Sequence, residues 1–241
     1  MTKHHQPLTD YKVSAASRHT DKRWKSKTIA EVGISYGQPF HEGRKFDSLL
    51  HWTARKFDKV FITLSDTLYR HNYEAEGHCP KVALNIARTY GDMWLARNKT
   101  FLNKYDKEQL SIIRWDTFRY HADFDKLYDE LMRFRLKDKG FQSAIAQDTQ
   151  DYLHRNKDTI KGDDSFLHHR KSLDYVMEEI VVYTLIGREM KSARIYPGQD
   201  LETFKYMRQP HIPAHLKGLD QSPHVHLSFQ RKASVAKEEA A

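Results

Sequence analysis

The stretch Thr28-Ile-Ala-Glu-Val-Gly-Ile-Ser35-Tyr-Gly-Gln-Pro39 decides how the rest of the chain is read. It runs as apolar and small residues broken by one carboxylate, Glu31, and stops at a hydroxyl residue between Gly33 and Gly37. A short apolar run bounded by glycine and proline is the pattern of a buried strand. Glycines on either side of Ser35 allow a tight turn and let the backbone approach a substrate closely. Open α/β sheets place their ligands in the crevice beyond the carboxyl ends of the strands. Ser35 is therefore the leading candidate nucleophile.

Downstream of Pro39, Phe46, Leu49, Leu50, Thr53 and Phe57 recur at helical spacing over 43–57. A second apolar run, Val60-Phe-Ile-Thr-Leu-Ser65, exits at Asp66-Thr67. Strand, helix and strand in that order form a βαβ unit, which requires parallel pairing. The segment 66–79 reads as a loop rich in Tyr, His and Asn, and Pro80 opens a long helix at its first turn. A third strand is expected near Leu110–Trp115, followed by helices near 121–137 and 140–157. Gly162-Asp-Asp-Ser165 breaks the chain and caps a helix of about 165–187 that closes on Gly187. A strand Ala193–Tyr196 stops at Pro197-Gly198, and a final helix covers about 200–208. The pattern predicts an α/β fold with one parallel-sheet domain over 28–210. Residues 1–27 read as a basic N-terminal arm and 211–241 as a loosely held C-terminal tail.

The chain has 241 residues, 39% of them hydrophobic, with 13 Tyr, 12 Phe and 4 Trp, enough for one sizeable core. A net charge of +8 favours an anionic partner such as nucleic acid, a phosphorylated substrate or a membrane surface. The lone cysteine, Cys79, rules out an internal disulfide and fits a reducing compartment. No apolar run reaches membrane-spanning length, and the first residues carry no apolar signal region, so a cytoplasmic protein is expected. The 15 histidines form no closed set at metal spacing, so no metal is expected.

Four constellations could carry chemistry. Gly33-Ile-Ser35-Tyr-Gly37 matches the nucleophile-elbow pattern of serine hydrolases. Its place after the first strand, with Gln38-Pro39 delaying the helix, makes an α/β hydrolase the second choice. Tyr175 and Glu179, four apart, share one face of a helix rich in apolar residues. A carboxylate at the edge of such a surface needs a partner, which a substrate amine would supply; a solvated Glu beside a half-buried Tyr is the bland alternative. Arg194-Ile-Tyr196-Pro197-Gly198 aims a tyrosine at the sheet edge that carries Ser35. On the helix from Pro80, Lys81, Arg88 and Lys99 fall on one stripe, the footprint of a phosphate-tracking face. Ala83, Ile86, Tyr90, Met93, Trp94 and Phe101 lie opposite as its core side, with Arg97 among them. Arg97 is taken as a tRNA contact with the other three.

Together these motifs resemble the tRNA-dependent cyclodipeptide synthases over about residues 28–200. The likeness rests on Gly33-x-Ser35 closing the first strand, Tyr175-x-x-x-Glu179, Tyr196-Pro197, and the phrase Gly33-Ile-Ser-Tyr-Gly-Gln-Pro-Phe-His-Glu-Gly-Arg-Lys-Phe46. Gln38 and Tyr196-Pro197 are similar to the branch with proline after the late tyrosine and no asparagine after the serine. The resemblance implies a Rossmann-like domain akin to the catalytic domain of class I tyrosyl- and tryptophanyl-tRNA synthetases. It further implies a monomer that consumes two aminoacyl-tRNAs per product with no cofactor. Neither synthetase ATP signature is present, which places a synthetase third. On this reading Ser35 is the nucleophile, Glu179 holds the α-ammonium with Tyr175, and Tyr196 relays a proton. A noncatalytic tRNA-binding module is the alternative from a different class.

Alternate strand residues share a face, so Glu31, Gly33 and Ser35 point together, with Thr63 and Ser65 at comparable depth on the second strand. Family members that take apolar amino acids line this pocket with apolar side chains, and this chain departs from that. Two partners are open for Glu31: Arg194 on the neighbouring strand, or a substrate with a polar or basic side chain.

Overall fold

The computed structural model describes residues 10–16, 20–155, 160 and 165–232. Six strands form one mixed sheet: β1 (Tyr11–Ala15), β2 (Ile29–Ile34), β3 (Lys59–Leu64), β4 (Leu110–Arg114), β5 (Ala193–Tyr196) and β6 (His224–Arg231). Their order is β1-β6-β5-β2-β3-β4, parallel throughout except for the β1–β6 edge. The helices are α1 (Gly43–Ala54), α2 (Arg70–Ala75), α3 (Pro80–Leu102), α4 (Trp115–Arg119), α5 (Phe124–Lys137), α6 (Lys139–Arg155), α7 (Ser165–Met190) and α8 (Glu202–Met207). Among the described residues no helix is long and apolar enough to cross a membrane.

The two faces of the sheet bury different chemistry. On one face Val32, Ile34, Ile62, Leu64, Ile195 and Val225 pack with Phe46, Leu49 and Leu50 of α1 and Trp94 of α3 in a single apolar cluster. Each such side chain contributes about 1.5–3 kcal/mol on burial, which anchors the strand order. The register puts Glu31 beside Arg194 and Gly33 beside Thr63, so the other face carries ionisable and hydroxyl groups near the ends of the central strands. The apolar stripe of α7, including Val176, Met177, Ile180 and Val181, belongs to the second cluster with α4, α5, α6 and α8.

Several boundaries differ from the sequence expectation. The proposed arm contains β1, and the proposed tail contains β6, which pairs in parallel with β5. Tyr11–Ala15 does alternate, Tyr11, Val13 and Ala15 half-buried and Lys12 and Ser14 exposed, but it is only five residues long, and His224-Val225-His226-Leu227 hides a buried strand behind histidines. The loop of 66–79 holds a short 3-10 turn and α2. Helix α7 runs through Gly187 to Met190 instead of closing there. A Cβ at Gly187 would strike the backbone carbonyl of Gly218, so the glycine serves a close crossing of two backbones. The capping segment expected at Gly162–Asp164 lies outside the described residues, as does the end of the helix expected over 140–157.

Candidate active site

Ser35 follows the last residue of β2, and the turn after it requires Gly37, whose φ is +81°. The backbone N–H of Ser35 donates to Nδ1 of His41 at 3.0 Å. His41 is completely buried, and burial holds its imidazole down near a pKa of about 3. Its peptide carbonyl accepts from Trp94 Nε1 at 2.9 Å, which fastens the serine turn to α3. Nδ1, where a hydrolase would seat its orienting carboxylate, is instead spent on the serine backbone, and the buried Nε2 makes no hydrogen bond among the described residues. A ring so weakly basic, with no carboxylate on Nδ1, is a poor general base, so the hydrolase reading loses its histidine.

The Ser35 side chain interacts with two phenols, Tyr69 at the start of α2 and Tyr196 at the end of β5. Burial raises both phenols above their ordinary range, and the contact with Ser35 pulls partly back. Both are neutral hydroxyls at physiological pH and can pass hydrogen bonds to and from the serine. The Tyr196 ring rests on His41, centroids 5.5 Å apart, and on Phe40 at 5.7 Å. A Cβ at Gly198 would lie 2.5 Å from the Tyr196 ring, so Pro197-Gly198 shapes the seat of that tyrosine. Pro197 itself is buried, and Gln38 is exposed with its backbone N–H donating to the Ser35 carbonyl at 3.3 Å.

Helix α7 closes the site from above the sheet. Tyr175 packs edge-on against Tyr69 with centroids 6.1 Å apart. Glu179, one turn later, is raised to about 7 by burial, with Arg194 opposing the shift. Its neighbour Glu178 points the other way and is held at about 2: burial is overcome by His71 and Arg70. The Glu178 carboxylate also accepts from Trp115 Nε1 at 2.9 Å and Arg70 Nη1 at 2.9 Å. This bonded cluster ties α2 and α4 to α7 and fixes the rotation of α7 that presents Glu179. Deeper still, Glu31 is fully buried and raised to about 7 by burial, countered by Arg194 and Thr63. The space a Cβ would fill at Gly33 holds the Tyr183 hydroxyl, so this glycine makes room for α7 rather than for substrate. Ser65 is buried, its N–H donating to the Ile34 carbonyl at 2.9 Å.

Thus Ser35, Tyr175, Glu179, Tyr196, Glu31, Gly33, Thr63, Ser65 and Arg194 gather on one side of the sheet. The basic stripe of α3 is different. Lys81 and Lys99 are exposed, but Arg88 pairs with Asp116 at 2.8 Å, and Arg97 pairs with Glu42 at 3.1 Å. Glu42 in turn accepts from the Gly37 N–H at 3.3 Å, so Arg97 braces the serine turn. The buried side of α3 is Ala83, Ala87, Gly91, Trp94, Asn98 and Leu102; Tyr90 and Met93, expected inside, are 43% and 47% exposed. Small residues bring the helix close, since a Cβ at Gly91 would lie 2.6 Å from the Asp66 side chain.

Sequence reasoning missed Tyr69, His41, Tyr183 and Asp200. Tyr69 and His41 carried a signal, one in the Tyr/His/Asn-rich stretch and one six residues after Ser35. Asp200 carried none, because its role depends on the parallel pairing of β6. Among the described residues no three His, Cys, Asp or Glu side chains gather as a metal site would require.

A family model described as cyclodipeptide synthase matches residues 11–185. No curated protein matches significantly. Among solved structures, a CDPS from Fluoribacter dumoffii is similar with a TM-score of 0.78 and 24% identity, covering 92% of this chain and 100% of its own. A Mycobacterium tuberculosis protein, described as demonstrating that cyclodipeptide synthetases are related to type I tRNA synthetases, matches with TM-score 0.71 and 16% identity over 92% and 94% of the two chains. A cyclodipeptide synthase from Candidatus Glomeribacter gigasporarum, bound to Phe-tRNAPhe, matches with TM-score 0.58 and 20% identity over 85% and 88%. Rossmann-like sheet, serine turn and family match together define an aminoacyltransferase of the synthetase-like α/β class. The chain belongs to the cyclodipeptide synthase family.

Proposed function

We propose that the protein joins two aminoacyl groups, each delivered as an ester of tRNA, into a cyclic dipeptide by covalent catalysis through Ser35. The observation that carries this reading is the Ser35 hydroxyl held between the phenols of Tyr69 and Tyr196, with the raised carboxylate of Glu179 facing the same crevice. The relative bound to Phe-tRNAPhe and the exposed Lys81 and Lys99 support tRNA as the carrier.

The Ser35 oxygen attacks the ester carbonyl of the first aminoacyl-tRNA, its proton leaves with the tRNA 3′-terminal ribose oxygen, and a seryl ester forms. Neither phenol is acidic enough to act as an anionic base, so Tyr69 and Tyr196 position the hydroxyl and pass hydrogen bonds. Glu179 accepts the α-ammonium, assisted by Tyr175. A carboxylate titrating near neutrality also suits taking the proton when that amine becomes a nucleophile. The freed amine attacks the second aminoacyl-tRNA and expels a second tRNA, giving a dipeptidyl ester on Ser35. Its terminal amine then closes on the seryl ester, with Tyr196 returning a proton to the Ser35 oxygen. The activated esters supply the driving force, so neither ATP nor a cofactor is required.

Mass spectrometry of extracts from cells overexpressing the wild type and Ser35→Ala tests the reading. Diketopiperazines are expected only with the wild type; release of free amino acid without cyclic product would instead support a hydrolase.

A further inference from the structure

Behind the site, Arg194 pairs with Asp200 at 2.9 Å, and Asp200 is held on its other oxygen by Arg208 and backed by His224 at 3.9 Å. That network is buried; the surface beside Ser35 is aromatic instead. The residue after the nucleophile, Tyr36, is buried with its ring against Tyr69, centroids 4.2 Å apart. The hydroxyls of Tyr36 and of Tyr73 on α2 hydrogen-bond at 3.3 Å. Tyr90 of α3 lies nearly parallel to both rings, 5.8 Å from Tyr36 with 16° between planes and 6.1 Å from Tyr73 with 12°. Contacts therefore run unbroken from the Ser35 side chain through Tyr69 and Tyr36 to Tyr73 and Tyr90.

The outer end of this ladder is open. Tyr73 is half-buried and Tyr90 is exposed, and Val82 and Met93 are exposed on the same stripe of α3. A cluster of exposed apolar and aromatic side chains marks an interaction site. Rings already locked by mutual contact lose little freedom when a flat ligand settles on them, and every nucleobase offers a π-face. Lys81 is exposed on the same helix and the chain carries a net charge of +8, which suits a ligand with phosphates.

We infer that Tyr90 and Tyr73, backed by Tyr36, are the stacking platform for the unpaired 3′ end of the aminoacyl-tRNA, its terminal adenine resting on the rings. This rests on the function proposed above. In that substrate one ribose carries both the ester and the terminal adenine, so the base must lie close to any nucleophile that attacks the ester. Tyr69 divides the two halves. It meets Tyr175 at 6.1 Å, one helical turn from Glu179, which takes the α-ammonium, and it meets Tyr36 on the way to the platform. The aminoacyl group thus goes toward α7 and the base toward α3.

The test is the dissociation constant of uncharged tRNA with and without its 3′-terminal adenosine, measured at one salt concentration for the wild type, Tyr90→Phe and Tyr90→Ala. Removing the adenosine is expected to weaken binding to the wild type about tenfold, the effect of one lost stacked base. Tyr90→Phe, which keeps the ring, should show the same loss, and Tyr90→Ala little or none. The phosphate removed with the nucleotide is common to all three proteins and cancels in the comparison. Equal losses in wild type and Tyr90→Ala, or no loss in the wild type, overturn the inference; a general weakening by the substitution cannot imitate the expected result. Intact-mass analysis of the wild type with charged tRNA runs in parallel. A seryl adduct alongside equal losses leaves the synthase reading standing, and no adduct from any charged tRNA overturns that reading itself.

Discussion

Replacing Glu31 by Gln keeps the outline of a protonated carboxyl while removing its titration, which exposes the cost of the buried charge. An unfolded Glu titrates at 4.5, and in the folded protein burial raises Glu31 to about 7. The folded state therefore binds this proton more tightly than the unfolded chain does. Stability from this group is complete below 4.5 and is lost as pH rises through 7. At roughly 1.4 kcal/mol per pH unit, the interval corresponds to about 3 kcal/mol. Because Glu31 is fully buried, solvent does not screen this away. Urea unfolding of wild type and Glu31→Gln across this range is the assay. The variant is expected to gain on the wild type by about 3 kcal/mol between acid and mildly alkaline pH, every other titration cancelling in the difference. A stability difference independent of pH would show that Glu31 titrates alike in both states and refute the argument.

Gly33→Ala is expected to cost about 1–3 kcal/mol by overpacking, because the new methyl meets the Tyr183 hydroxyl. Adding Tyr183→Phe is expected to recover most of that loss in a double-mutant cycle, since the remaining neighbours are Glu31 Oε1 at 3.5 Å and Tyr183 Cζ at 3.6 Å; simple additivity would contradict the packing. Charge reversal at Lys81, Arg88 and Lys99 is expected to raise KM for aminoacyl-tRNA and flatten its salt dependence, as fewer condensed counterions are released. Unchanged tRNA affinity would move the RNA surface elsewhere. Arg97→Ala is expected to lower kcat at constant salt slope, because Arg97 braces the serine turn through Glu42.

The central βαβ unit was legible because Thr28–Ser35 and Val60–Ser65 are buried strands with little competing signal, and strand alternation placed Glu31, Gly33 and Ser35 on one face. Tyr175 and Glu179 fell on that face because one helical turn separates them. The edges were not legible. His224 and His226 sit in β6, where a clamp on Asp200 replaces the apolar alternation that would have marked a strand. On α3, close packing through Ala83, Ala87 and Gly91 turns the small residues inward and leaves Tyr90 and Met93 outside, the reverse of what hydrophobicity alone suggests. The contacts of Ser35 with Tyr69 and His41 arise where a turn folds back on the strand end, which no periodicity encodes.

The covalent step through Ser35 carries the whole account, and rapid-quench intact-mass analysis with peptide mapping reads it directly. Wild-type protein mixed with charged tRNA is expected to gain the mass of one aminoacyl residue on the peptide containing Ser35. Ser35→Ala should show none, and Tyr196→Phe should retain the adduct while product formation slows. Diketopiperazine made by Ser35→Ala at near wild-type rate, or an adduct mapped to any other residue, would contradict it.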